Sequence, residues 1–201
     1  MVNRIVQGLS LALLVVAATL PARAQGADPA AATVQGFYDS LVASMKSGGT
    51  TKSRYDKLKP AVEQAFDIPG MTALSVGPSW SSASPADQKA LTEAFERMTI
   101  ANYARSFDSY SGEKFTVDPA VTERGTDKFV KSTLKPTSGD AIPFNYRLHQ
   151  ADGGWKIVDI YLNGNISQLA QKRADFASTL SASGPQGLAK KLNALADQEL
   201  G

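Results

Sequence analysis

Cysteine is absent from the 201-residue chain, and histidine occurs once. Without cysteine, no disulfide holds the fold and no thiolate binds a metal or attacks a substrate, so apolar burial must supply the stability. A lone imidazole, His149, argues against a zinc site; at the end of a strand-like run it reads as a surface or satisfied histidine. Also missing are a Gly-x-Ser-x-Gly elbow, a Gly-rich phosphate loop and a paired-histidine metal motif. No catalytic residue, metal or cofactor is expected. No Lys/Arg-rich run occurs either, and the pair Lys190-Lys191 is too short for a basic patch.

Long apolar runs are scarce. The best begins after Arg4, extends from Ile5 to Leu20, and is followed by small residues at Ala22 and Ala24. A positive start, a short apolar stretch and small residues at the end make a secretory signal, expected to be cleaved after Ala24. Gln7, Gly8 and Ser10 interrupt the run, which is short for a bilayer that needs about 20 apolar residues, so an uncleaved anchor is the weaker reading. Cleavage removes Arg4 and Arg23 but no acid, and the net charge of +2 falls to zero. The isoelectric point near 8.8 therefore partly describes a discarded segment. A neutral chain has no counterion-release drive toward nucleic acid.

Residues 25–201 suit one domain. Val34, Phe37, Tyr38, Leu41, Val42 and Met45 recur at three and four, which predicts a helix over 33–45 ended by Gly48 and Gly49. A second helix is expected over 53–66 with Pro60 as a kink, and a short helical element between the breakers of 67–80. Ser84, Pro85 and Asp87 supply an N-cap, a proline at the first position and an acid in the first turn. The helix they open is expected to be the longest, reaching about Tyr110. Beyond Ser111-Gly112 the period becomes two, predicting strands from Phe115 and Val117, over 128–134, over 142–149 and over 155–162, the last two joined by a hairpin at Ala151-Asp152-Gly153-Gly154. Two closing helices follow, separated by Gly184-Pro185. Helical pieces, a strand meander and two closing helices make an α+β domain with helices on an antiparallel sheet.

Strict alternation places Ile142, Phe144, Tyr146 and Leu148 on one face, joined across the hairpin by Trp155, Ile157, Asp159 and Tyr161. Val158, Ile160 and Leu162 make the opposite face of the last strand apolar as well. Such a pattern fits a solid core, and it also fits a wall around an apolar hollow. Acyl chains are a natural filling for a hollow, because exposing two of them to water costs on the order of 20 kcal/mol. Asp159, the acid most forced inward, reads either as a structural hydrogen-bond partner or as the general base of a small enzyme acting on an apolar substrate.

Several stretches carry a family resemblance: Phe66-Asp67-Ile68-Pro69-Gly70-Met71, Val76-Gly77 with Trp80, Gln88 with Phe95, Asn102-Tyr103-Ala104-Arg105-Ser106-Phe107, Tyr110-Ser111-Gly112-Glu113-Lys114-Phe115, Gly154-Trp155-Lys156-Ile157-Val158-Asp159-Ile160-Tyr161-Leu162-Asn163-Gly164, Ile166-Ser167, Arg173, Phe176 and Gly187-Leu188. In these the chain resembles, in order and over nearly all of residues 25–201, the periplasmic MlaC/toluene-tolerance lipid carriers. Gly164-Asn165-Ile166-Ser167 and Gln171-Lys172-Arg173 depart from the usual phospholipid-carrier pattern, and with the Tyr110 stretch they look most like the hopanoid-associated HpnM branch.

The resemblance implies a curved four-stranded antiparallel sheet, NTF2-like, packed against several helices and enclosing an apolar cavity. It also implies a non-enzymatic carrier that shuttles hopanoid or phospholipid across the periplasm between an inner-membrane transporter complex and an outer-membrane complex. A module that only steadies the transporter and holds no lipid is the remaining alternative. The residues expected to meet the lipid are Trp80, Met98, Tyr103, Phe107, Tyr110, Phe144, Tyr146, Leu148, Ile157, Tyr161, Leu169 and Phe176.

Overall fold

A computed structural model describes residues 27–151 and 153–201. The secretory segment read at residues 1–24 lies outside the described residues. Among the described residues, each long helix starts on a side chain that accepts a backbone N–H. Asp28 caps α1 (Pro29–Ser47), accepting from Ala30 N at 2.8 Å. Thr50 caps α2 (Thr51–Ala65), Asp67 caps α3 (Ile68–Val76) and Ser84 caps α5 (Pro85–Ser106). The short α4 (Ser79–Ser82) has no side-chain cap. These caps satisfy amides that the first turn of a helix leaves without partners.

α2 continues through Pro60 as one helix. α5, at 22 residues, ends at Ser106, four residues short of the expected Tyr110. Phe107 leaves helical geometry to join an aromatic cluster, and the polar run Asp108-Ser109 before Ser111-Gly112 favours turns. α6 (Gln168–Leu200) is two helices joined at Gly184, whose φ of 63° and ψ of −169° are open to glycine almost alone. α5 is therefore the longest unbroken helix.

Five strands form one antiparallel sheet in sequence order: β1 (Lys114–Arg124), β2 (Asp127–Lys135), β3 (Ile142–Ala151), β4 (Gly154–Leu162) and β5 (Ile166–Ser167). The expectation of four strands is thus corrected. The fifth is a two-residue edge strand, turned back onto β4 by Asn163 and Gly164, both at positive φ. Ala151 pairs with Gly154 at the turn from β3 into β4.

The register between β3 and β4 shifts between Arg147 and Leu148: Arg147 pairs with Asp159, whereas Leu148 pairs with Ile157. Val158 is the extra residue, a β-bulge. Beside it the α2–α3 junction is clipped to the strand, with Asp67 N donating to Ile157 O at 3.0 Å and Phe66 bridging Ile157. The bulge changes which side chains face the helices. Phe144 and Tyr146 pair with Leu162 and Ile160, so those two share their face, and Asp159 and Tyr161 lie with Arg147 and Asn145 on the other. The strict alternation read from the sequence had them the other way round.

The core lies between the sheet and the helical layer. Phe37, Leu41, Phe95, Ile100, Leu148 and Ile157 are fully enclosed in it. α1 crosses β1 and β2, where Tyr38 Oη and Ser132 Oγ stand 2.7 Å apart in an otherwise apolar contact. Lys59 ties α2 to α5 by pairing with Glu96, and also pairs with Glu63 one turn along its own helix.

Candidate functional site

α5 packs beside α6, which also meets β4, and a cleft of about 180 Å³ is left between α5, the start of α6 and β4. Its α5 wall is one stripe, Phe95, Thr99, Asn102, Tyr103, Ser106 and Phe107, spaced by threes and fours so that all project from one side. Ile160 forms the floor from β4, Phe66 and Met71 close one end, and Gln168, Leu169 and Lys172 form the α6 wall. No Asp or Glu lines it. A groove of about 290 Å³ bounded by Thr33, Gln64, Trp155 and Lys156 is lined by more polar side chains.

The start of α6 is held by Asp159. This carboxylate is 5 % exposed and accepts from Ser167 Oγ at 2.6 Å, Ile160 N at 2.8 Å and Leu169 N at 3.1 Å. Ser167 in turn accepts from Ala170 N at 3.0 Å. Both carboxylate oxygens are therefore engaged in anchoring α6 to β4, which sets the position of Leu169 and Lys172 against the cleft. Farther along α6, Arg173 lies against the end of α3. A Cβ on Gly77 would stand 2.9 Å from its Nε, which the flexible arginine could give way to, whereas the φ of 69° at Gly77 favours glycine outright.

Phe37 meets Phe66 and Tyr103 edge-on, at 4.9 and 5.0 Å between ring centres, and Tyr103 stacks on Phe107 at 6.1 Å. This edge-to-face cluster continues through Phe115 to Tyr38 and Tyr146. Burial pushes the Tyr103 and Tyr146 hydroxyls above the usual phenol range, aided by neighbouring tyrosines, so both stay neutral.

Among the described residues, two of the cleft's less exposed polar groups, Thr99 and Lys172, lack partners. Thr99 is 8 % exposed, and its Oγ1 has no hydrogen bond. Lys172 Nζ belongs to none of the ion pairs among the described residues and stands 6.0 Å from the centre of the Phe95 ring. Desolvation lowers its pKa, partly offset by the field of Asp175.

Of the residues expected to meet a lipid, Tyr103, Phe107 and Leu169 line this cleft together. Met98, Tyr146, Leu148, Ile157 and Phe176 are buried in the adjoining core, and Phe144 is half-buried beside Tyr146. Trp80 lies on α4, its carbonyl accepting from Gln88 Nε2 at 2.9 Å, and Tyr110 is exposed beneath Lys46 Nζ. Tyr161 is on the outer face of the sheet, 6.2 Å from Phe129. Ile160 was missed because of the bulge, and Thr99, Asn102, Gln168 and Lys172 because only large apolar side chains were sought. The spacing of Phe95, Thr99, Asn102 and Ser106 was nonetheless a usable signal.

Residues 33–194 match the family model described as MlaC protein. The chain belongs to the MlaC family. The toluene tolerance protein ttg2D of Pseudomonas putida is 26 % identical over 179 residues, covering 86 % of this chain and 82 % of that protein. Among solved structures, a phospholipid-binding protein from Ralstonia solanacearum, in complex with a phospholipid, shares the fold with a TM-score of 0.74 at 23 % identity, covering 86 % of this chain and 99 % of its own. Membership of the MlaC family rests on the sequence match, and the structural likeness adds the arrangement of sheet and helices.

Proposed function

We propose that this protein is a stoichiometric lipid carrier of the periplasm, exported by its N-terminal signal, that shields the acyl part of a phospholipid or hopanoid while passing it between membrane complexes, without catalytic turnover. The observation that carries this reading is the apolar cleft between α5 and α6, set over β4 in a MlaC-family chain. A relative of known structure described as a phospholipid-binding protein supports it through the shared fold. At about 180 Å³ the cleft is smaller than the roughly 300 Å³ at which ligand pockets of drug size begin. A lipid therefore enters by parting α6 and α3 from α5, and the residues behind the cleft, Met98, Tyr146, Leu148, Ile157 and Phe176, become the inner wall of the widened space.

The test is to purify the protein from its native compartment without detergent and to analyse its organic extract by mass spectrometry. One lipid per protein is expected. Leu169→Trp, which fills the cleft, is expected to remove that lipid while the variant retains a cooperative melt, at an overpacking cost of about 1–3 kcal/mol. Lipid-free wild-type protein that also takes none from vesicles would end the proposal.

A further inference from the structure

The helical layer covers one face of the sheet, and the other face is open. On β2, Phe129, Lys131, Thr133 and Lys135 alternate with the buried Val130 and Ser132. Strand pairing carries the open face onto Lys114 and Arg124 of β1, Asn145 and Arg147 of β3 and Tyr161 of β4. Lys114, Arg124, Lys131, Lys135 and Arg147 therefore share one surface. Of these cations only Arg147 belongs to an ion pair among the described residues, with Asp127 at 2.6 Å. Lys114 and Lys135 stand directly opposite each other, an arrangement of like charges that costs stability. Residues 25–201 hold equal numbers of acids and bases, so a basic face here leaves an acidic excess elsewhere. Two aromatic rings interrupt the cations. Phe129 and Tyr161 are half-buried with ring centres 6.2 Å apart, and the Arg124 guanidinium covers Phe129 at 4.8 Å. Together with Lys131, Asn145 and Asn165 they bound an open groove of about 310 Å³ that no carboxylate lines.

We propose that the open sheet face is a docking surface for a bilayer rich in anionic headgroups, with the lysines and Arg124 against the headgroup charge and Phe129 and Tyr161 at headgroup level. Charge complementarity argues for this occupant. Unpaired basic side chains on a broad face suit a fluid field of negative charge, and aromatic rings favour the boundary between membrane and water. Lysine is depleted at interfaces between proteins, whereas three of the five cations here are lysines. The α5–α6 cleft lies on the other side of the sheet, because its floor residue Ile160 faces the helices while Tyr161 faces this surface. The inference is therefore independent of the carrier reading. It holds the molecule at a membrane by its back and leaves the cleft on the side away from the bilayer.

The test is flotation of the full mature protein with vesicles of phosphatidylcholine alone and of phosphatidylcholine mixed equally with phosphatidylglycerol. Binding is expected to the anionic vesicles and not to the neutral ones, and high salt should release it. Each cation near such a surface contributes a factor of about five. Arg124→Gln combined with Lys131→Gln should therefore weaken partitioning roughly 20-fold and, at these exposed positions, leave the melting temperature unchanged. Lys57→Gln combined with Lys190→Gln removes the same charge from exposed positions on α2 and α6 and should leave binding near that of wild type. An equal loss in that second pair would show that total charge alone matters and would overturn the docking face. Binding to neither vesicle, or equally to both, would overturn it as well. Leu169→Trp should float like wild type; failure to do so would mean that attachment runs through the cleft, and the proposal falls. Wild type that floats as expected but takes up no lipid would overturn the carrier reading alone. A final arm offers polyglutamate: saturable, Lys131-dependent capture in preference to anionic vesicles would assign the face to an acidic protein and overturn the bilayer.

Discussion

At the scale of single residues, Asp159 is the clearest case of a side chain whose neighbours decide its role. In sequence it is an acid flanked by apolar residues, which suits a general base as well as a structural partner. In the fold its two oxygens accept from Ser167, Ile160 and Leu169, and it lies on the sheet face away from Phe144 and Tyr146. Asp159→Asn keeps the shape but gives up charge-assisted bonds to the start of α6. Chemical denaturation should show a loss of about 1–3 kcal/mol, with lipid retention reduced in proportion because the α6 wall of the cleft loosens. A variant as stable as wild type would show that the anchor contributes nothing. The legibility of this residue was partial: its burial could be read from the apolar neighbours, whereas its partners depend on β5 and on the bulge.

At the scale of elements, the start of α5 was legible, whereas α1 begins at Pro29, four residues before the expected Thr33, because the Asp28-Pro29 cap was not read; the other corrections concern where chain direction changes. Ser84-Pro85-Ala86-Asp87 names the start of α5 to the residue, because capping chemistry is local. Its end depends on where Phe107 finds aromatic neighbours, which no local pattern records. β5 was within reach, since Asn163-Gly164 is a strong signal for a tight reversal, but a two-residue strand has no period of its own. The bulge at Val158 left no glycine or proline to mark it, and alternation extrapolated across it assigned the faces of Asp159 and Ile160 wrongly. Docking of α1 is also an element-scale matter. Asp28 combines capping with an ion pair to Lys128 on β2 at 2.6 Å. Burial pushes the Asp28 carboxyl up, but the Lys128 hydrogen bond and the Ala30 amide outweigh it and leave the group below its ordinary 3.8. A depressed carboxyl stabilises the fold above its unfolded value, and that contribution disappears as pH falls through the folded one. Asp28→Asn, which preserves the cap, should therefore cost up to about 1 kcal/mol at pH 7, a cost that fades as pH falls through the depressed value of the folded carboxyl, as measured by melts from neutral into acid.

At the scale of the whole molecule, an α+β layering with helices over an antiparallel sheet was legible because period and punctuation change together after Gly112. The cleft was legible as an apolar region and illegible as a volume, since packing of α5 against a broken α6 sets its size. The balance of charge is likewise a property of the entire chain. With the signal removed, acidic and basic residues are equal in number, so protein purified from the periplasm should begin at Gln25 and focus near neutrality, far below 8.8. Terminal sequencing and isoelectric focusing check both; a start at Met1 would show that the leader is retained.

The chain has two tryptophans, and neither lines the α5–α6 cleft. Trp155 sits beneath Lys128 Nζ, 4.7 Å from the ring centre, where α1 meets the sheet, and Trp80 sits on α4. Neither indole would touch the contents of the cleft, so intrinsic fluorescence reports filling only through movement of the elements around it. Phe107→Trp would place an indole among the aromatic walls and turn occupancy into an optical signal.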